Sequence, residues 1–206
     1  MVCSVAGDRK GIEMVIVEHS KRLHWNYFLA LDSDVERLSR YVEFTESNFA
    51  TYSIEMAHLL LAAASEVDVV AKLLCKKLNP PVDADNIREY REALHLAFPT
   101  ISRIAVTIPR YGLELKPWDN WTRDTTPDWW TDYNAVKHER DVNYQRAHLK
   151  NTLNAVSALF VLLLHYYLDD ARIGNLAPAP ALFRVGEEFL GGDSIGQANV
   201  SPFYRI

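Results

Sequence analysis

Residues 155–168 read AVSALFVLLLHYYL, and only Ser157 and His165 in this stretch are polar. A transmembrane helix needs about 20 apolar residues, whereas this run has 14 and is followed at once by two aspartates. An apolar helix that is too short to cross a bilayer is typical of a protein core, where neighbouring elements cover it on nearly all sides. The stretch therefore predicts a buried central helix and no membrane-spanning segment.

Two long helices frame the predicted fold. Apolar residues recur at spacings of three and four along 48–78, which predicts a helix that ends at Asn79-Pro80-Pro81. The central helix is predicted to run from about Asn143 to Ala171, with Gly174 as its C-cap. Shorter helices are predicted from Asp32 or Ser33 to Phe44, over 84–97, and from Thr126-Pro127-Asp128 onward. We therefore expect a mainly α fold, an antiparallel helical bundle over about 31–172.

A change of period marks an insertion in the second half of this bundle. Apolar and polar residues alternate on both sides of Pro109–Gly112, which predicts a small β-hairpin over about 103–116. The tail, 175–206, is rich in proline, glycine and alanine and is expected to be irregular, apart from one turn of helix near Phe183–Leu190. Met14–Val17 can form a short strand. Because no internal repeat is found, 1–206 is predicted to be a single domain.

Charge and cysteine content narrow the class of protein. The 206-residue chain has 22 basic and 27 acidic residues, a formal net charge of −5. This balance argues against a broad basic surface for nucleic acid, because such binding depends on many phosphate contacts, but it leaves room for a local basic site. Two cysteines cannot build a disulfide framework, and the N-terminus does not resemble a signal peptide. We therefore expect a cytoplasmic protein.

Common cofactor and hydrolase motifs are missing from the sequence. It has no Gly-rich phosphate loop, no His-x-x-x-His or Cys-x-x-Cys pair, and no Gly-x-Ser-x-Gly elbow. Neither a cofactor nor a metal is therefore predicted.

The stretch YNAVKHER, from Tyr133 to Arg140, is the best candidate site. In a helix, Asn134 and His138 lie one turn apart on the same face, with Lys137 beside them and Arg140 close by. An imidazole, an amide and two cations at one helix end can bind a phosphate and transfer a proton. The simpler interpretation is a structural histidine that Asn134 holds in place.

Glu66 is the second candidate, because it lies in a segment that is apolar nearly all round. Asp68 has Lys72 four residues later, whereas Glu66 has Val70 at that spacing. A carboxylate on such a face needs a cation or a hydrogen-bond donor from another element. It forms either a buried structural ion pair or a contact that orients His138 or Lys137.

The stretches PDWWTDYNAVKHER, 127–140, and LKNTLNAVSALFVLLLHYY, 149–167, resemble the last helices of HEPN proteins, the higher-eukaryote and prokaryote nucleotide-binding helical domains. The motif of that family is an Arg, usually followed by a polar residue, with a His four to six residues beyond the Arg. Asn134 matches the polar position and His138 the histidine, while Tyr133 replaces the Arg. The resemblance implies a helical homodimer that acts as a metal-independent ribonuclease or, where the motif is incomplete, as a binding module, often in phage-defence or toxin–antitoxin systems.

Three hypotheses follow for the function. The first is a HEPN-like protein that binds RNA or a nucleotide and has weak or no ribonuclease activity. In it, His138 is the acid–base group, Asn134 orients it, Lys137 and Arg140 contact phosphate, and Glu66 positions one of them. The second is a non-catalytic interaction or scaffold module that uses the tryptophans at 118, 121, 129 and 130 as anchors, although core packing explains these residues more simply. The third and weakest is a small-molecule pocket between helices.

Overall fold

The computed structural model describes residues 22–191 and 202–206. The predicted mainly α fold with a small hairpin is confirmed. The helices in the described part are α1 (Leu23–Leu38), α2 (Ile54–Lys77), α3 (Ile87–Ala97), α4 (Asp128–His138), α5 (Arg140–Asn143), α6 (Leu149–Tyr166) and α7 (Leu168–Arg172). The strands are β1 (Val106–Ile108), β2 (Leu113–Leu115), β3 (Arg184–Val185), β4 (Leu190–Gly191) and β5 (Phe203–Tyr204).

Helix α6 is the centre of the fold, as its composition predicts. Every residue from Asn151 to His165 is buried, and α6 packs mainly on α2, with α1 and α4 against its other faces. The Thr152 hydroxyl joins the two central helices by donating to the Met56 carbonyl at 3.1 Å. Because other parts of the same chain cover α6, its apolar surface needs no second copy. No helix in the described part is long and apolar enough to span a membrane.

The first helix differs from its prediction. The expected N-cap is Asp32 or Ser33, but α1 begins nine residues before Asp32, at Leu23, and ends at Leu38 instead of near Phe44. Asp32 lies buried in the middle of α1, where its carboxylate accepts hydrogen bonds from the backbone N–H groups of Ala181 (2.6 Å) and Leu182 (3.0 Å). The polar side chain that looked like a cap therefore binds the C-terminal tail.

Caps explain the bounds of the two central helices. The Ser53 hydroxyl accepts from the Met56 N–H, so α2 begins at Ile54 and not at 48. His148 caps α6 through Nδ1, which accepts from the Asn151 N–H, so α6 begins six residues after Asn143. Residues 140–143 form the separate helix α5. Gly174, with φ +69°, follows the last helix as predicted.

The tail adds to the predicted hairpin. β1 and β2 pair antiparallel with Val106 opposite Leu115, and the left-handed Gly112 closes the turn between them. β3 pairs with the other edge of β1, so the sheet order is β2-β1-β3. The helical turn expected over Phe183–Leu190 is limited to Glu187–Phe189. The predicted strand at Met14–Val17 lies outside the described residues.

The tryptophans belong to the core. All four between 118 and 130 are buried. The Trp118 indole donates to the Ala158 carbonyl in α6 at 3.3 Å, and the Trp129 indole donates to the Pro117 carbonyl at 2.8 Å. These residues therefore do not form the exposed anchor surface that the interaction hypothesis used.

Candidate functional site

The predicted site lies at the C-terminal end of α4. Pro127 precedes the helix, and Trp129, Trp130, Tyr133 and Val136 form its buried face. The chain turns at Glu139 and continues as α5. Lys137, His138 and Arg140 are all exposed at this junction. The three residues are called the junction cluster below.

Asn134 does not hold His138. Its side chain is half-buried, and its Nδ2 group donates to the Trp130 carbonyl of its own helix at 3.1 Å. Within the described part of the chain, no side chain hydrogen-bonds to His138. The two residues share a face as the i, i+4 spacing predicts. However, the Asn134 amide bonds to the backbone of α4, and the His138 imidazole is exposed to solvent.

Tyr133 occupies the position that resembles the family's arginine, and it is 5% exposed. Its ring packs on Trp130, with the centroids 5.4 Å apart. The Lys137 ammonium lies 5.5 Å from the centre of the Tyr133 ring, within the range of a cation–π contact. Tyr133 is therefore part of the aromatic core, and the charged group that contacts its ring is the Lys137 ammonium.

In the described part of the chain the members of the junction cluster are unpaired, and the exposed carboxylates of Glu139 and Asp141 in the same stretch offset the charges of Lys137 and Arg140. Among residues 22–191 and 202–206, none of its members forms a salt bridge, whereas nearby Arg146 pairs with Asp132 at 2.6 Å. The carbonyl end of α4 partly offsets this charge, since helix C-termini carry a partial negative charge. The cluster can therefore bind an anionic group through its exposed side chains but not through backbone N–H groups.

The side chain of Glu66 does not contact the junction cluster and instead binds His24. Its Oε1 accepts from Nδ1 of His24 at 2.5 Å, and the two side chains are 16% and 15% exposed. The expected partner on another element is thus present as a hydrogen bond, which becomes an ion pair only when His24 is protonated, and this partner lies on α1. The structure shows no contact of Glu66 with His138 or Lys137.

A polar cleft of about 930 Å³ lies next to α4, and sequence reasoning missed it. It is formed by the start of α4, the start of α6 and residues 114–120. Asn151 is buried at its floor, and its Nδ2 group donates to Asp132 Oδ2 at 2.7 Å and to the Arg146 carbonyl at 2.9 Å. Burial lowers the pKa of His148 at the same edge, although Asp132 opposes the shift.

Four separate segments build this cleft, the fourth being the one that holds Glu46 and Phe49, which explains why no local pattern revealed it. The only sequence signal is that Asn151 and Asn154 interrupt the apolar face of α6. Five carboxylates line the cleft, those of Glu46, Glu114, Asp119, Asp128 and Asp132, against Lys116, Lys150 and His148. This excess of negative charge does not suit nucleic acid. In the described residues, no group of three or more His, Cys, Asp or Glu side chains is placed to hold a metal ion.

Comparisons with protein-family models, with curated proteins and with solved structures gave no match for this chain. The geometry at the α4–α5 junction is therefore the basis for a functional proposal.

Proposed function

We propose that the protein is a HEPN-like RNA- or nucleotide-binding helical protein whose phosphate contacts are made by the junction cluster. The observation that carries this proposal is that Lys137, His138 and Arg140 are exposed side by side and unpaired within the described part of an otherwise acidic chain. Unpaired cations are free to take up phosphate oxygens, whereas cations already paired with carboxylates are not.

The proposal is for binding with little or no cleavage. A general acid–base group works efficiently when a neighbour fixes its orientation, and the amide of Asn134, one helical turn before His138, donates to Trp130 instead. The guanidinium fork that the resemblance implies for phosphate charge has no counterpart at the buried Tyr133. The resemblance to HEPN proteins also implies a homodimer, which remains a prediction.

The test is RNA binding measured by fluorescence anisotropy with a labelled single strand at several salt concentrations. The double variant Lys137→Gln, Arg140→Gln should bind much more weakly than the wild type. The slope of log K against log salt should become shallower by about 1.4, because each lost phosphate contact contributes about 0.7 on single strands.

Lys76→Gln, Arg103→Gln is the matched control, since it removes the same charge from two exposed positions elsewhere. The proposal requires the control to bind like the wild type. Equal weakening in both double variants would show a general charge effect and overturn the assignment, as would the absence of RNA binding by the wild type.

Cleavage is tested separately in EDTA. Loss of a general acid–base group typically costs about 10²–10⁴ in rate. We expect no cleavage above background by the wild type. Metal-independent cleavage that disappears in His138→Ala would instead establish a ribonuclease, and cleavage that is equal in both would place any activity outside His138.

A further inference from the structure

A second polar cluster lies at a different place in the bundle from the junction cluster. The start of α1, the end of α2 and the turn between α6 and α7 border an open pocket of about 370 Å³. His24, Lys77, Tyr166 and Asp169 line it, and Glu66 holds His24 from behind. No residue of the junction cluster lines this pocket.

The contact with Glu66 fixes the orientation of His24. In the neutral imidazole one nitrogen donates and the other accepts. Nδ1 donates to the Glu66 carboxylate at 2.5 Å, so in the neutral ring it is Nε2 that carries the lone pair. The ring also meets Tyr166 edge-on, with the centroids 5.6 Å apart. No described residue hydrogen-bonds to Nε2, so the neutral ring presents a hydrogen-bond acceptor of fixed direction at the pocket wall.

Lys77 supplies the positive charge of the pocket. Its ammonium donates to the Tyr166 carbonyl at 2.9 Å and lies 4.0 Å from the centre of the Tyr166 ring. An ammonium has three N–H donors, so two remain for a ligand. The neighbouring Asp170 is already bound by Arg22, through two bonds of 3.1 Å, and by Asn175, and these bonds hold its pKa below the usual range.

The charges of the pocket select the class of ligand. Among the described residues that line the pocket, the cation is Lys77 and the carboxylates are Asp169 and Asp170, of which Asp170 is paired with Arg22 while Glu66 lies behind His24. A single negative charge can bind Lys77, whereas a second one meets the exposed Asp169. A hydroxyl group beside that charge can donate to Nε2 of His24.

We propose that this pocket binds a small hydroxy acid as its monoanion. The carboxylate of the ligand accepts hydrogen bonds from Lys77, and its hydroxyl donates to Nε2 of the neutral His24 ring, whose Nδ1-protonated tautomer Glu66 stabilises. The size of the pocket falls within the range of small-molecule sites. The inference does not depend on RNA binding at the junction cluster.

The test is an NMR titration of the full chain, labelled at histidine, with glycolate as the probe. We expect saturable shifts of the His24 ring signals and, in the free protein, the nitrogen shifts of an Nδ1-protonated ring. Acetate, which lacks the hydroxyl, should bind about 2- to 10-fold more weakly, the range expected for one lost hydrogen bond. Inorganic phosphate, largely a dianion above neutral pH, should bind more weakly than glycolate.

Lys77→Met and Lys76→Met form a matched pair of variants, because both lysines are exposed neighbours at the end of α2 and neither change disturbs the core. Lys77→Met should abolish the glycolate shifts and Lys76→Met should preserve them. The proposal is overturned if glycolate leaves the His24 signals unmoved, if both variants respond like the wild type, or if phosphate binds more tightly than glycolate.

Discussion

At the scale of single residues, His165 shows what the packing of α6 does to a titratable group. It is buried, its Nδ1 bonds to the Val161 carbonyl at 2.8 Å, and its Nε2 has no partner in the described part of the chain. Burial lowers its pKa from 6.5 to about 4. The imidazole therefore stays neutral in the folded protein at pH values where it takes up a proton in the unfolded chain.

This difference makes stability depend on pH. A pKa that is depressed on folding contributes stability that is complete above pH 6.5 and is lost as the pH falls towards about 4. Urea unfolding should show that the free energy of unfolding decreases by about 2 kcal/mol between pH 7 and pH 5 on account of His165. His148, whose pKa burial also lowers, adds to the same trend.

Two variants isolate the contribution of His165 to this decrease. His165→Leu should remove most of it, and His58→Leu, which changes an exposed histidine, should not. An equal decrease in the wild type and His165→Leu would show that other groups cause the acid sensitivity.

Cys75 is a second residue whose chemistry follows from burial. It is 0% exposed, and desolvation raises the pKa of its thiol to about 11. Since the thiolate is the reactive species, Cys75 in a Cys3→Ser background should react with Ellman's reagent only as fast as the protein unfolds. Rapid and complete reaction in native buffer would contradict the described packing.

At the scale of elements, α4 shows why restoring a family residue can fail. Tyr133 is on the buried face beside Trp130. Arginine there must bury a guanidinium or open the aromatic cluster, and uncompensated buried charges cost several kcal/mol. We therefore expect Tyr133→Arg to lower the free energy of unfolding by roughly 3 kcal/mol or more, the scale of losing a buried aromatic side chain, without creating ribonuclease activity.

Urea unfolding checks this prediction against Tyr41→Arg, because Tyr41 is 83% exposed and should tolerate the change. If Tyr133→Arg unfolds at the wild-type urea concentration, the Tyr133 side chain can reach solvent and the packing of α4 is looser than described.

The contact between α1 and α2 depends on Glu66. Glu66→Gln keeps the size of the side chain but loses the charged acceptor for His24, and hydrogen bonds to charged groups contribute about 1.5–3 kcal/mol. Thermal unfolding should show a lower midpoint for Glu66→Gln, whereas Glu55→Gln, on the exposed side of α2, should have little effect. An unchanged midpoint would show that the pair with His24 adds no net stability.

The elements also show what sequence can and cannot reveal. Helices α2 and α6 and the hairpin were predicted because the spacing of apolar residues within each segment alone indicates its secondary structure. The start of α1 was missed because Asp32 looks like a cap locally but bonds to the tail 149 residues away. The partner of Glu66 and the cleft at Asn151 were missed for the same reason, since both arise from segments that only the tertiary fold brings together.

At the scale of the whole molecule, the tail is held on the bundle by Asp32. The Asp32 carboxylate accepts from two tail N–H groups, while Phe183 and Tyr204 are buried in the core. Asp32→Ala leaves two donors without this acceptor, at about 1–3 kcal/mol for a buried group. Limited proteolysis with mass spectrometry should therefore detect faster cutting within 175–191.

Asp34→Ala is the control for this experiment, since Asp34 lies two residues further along α1 and only pairs with the exposed Arg37. It should be cut like the wild type. Equal cutting in all three proteins would show that core packing alone holds the tail.

The central place of α6 also has a consequence during synthesis on the ribosome. Met56 in α2 and Thr152 in α6 are 96 positions apart, so α2 emerges long before the helix that covers it is translated. At about 5–20 residues per second, the nascent chain exposes the apolar face of α2 for roughly 5–20 seconds. During this interval ribosome-associated chaperones can bind the exposed face, and α2 cannot be fully buried until α6 has been translated.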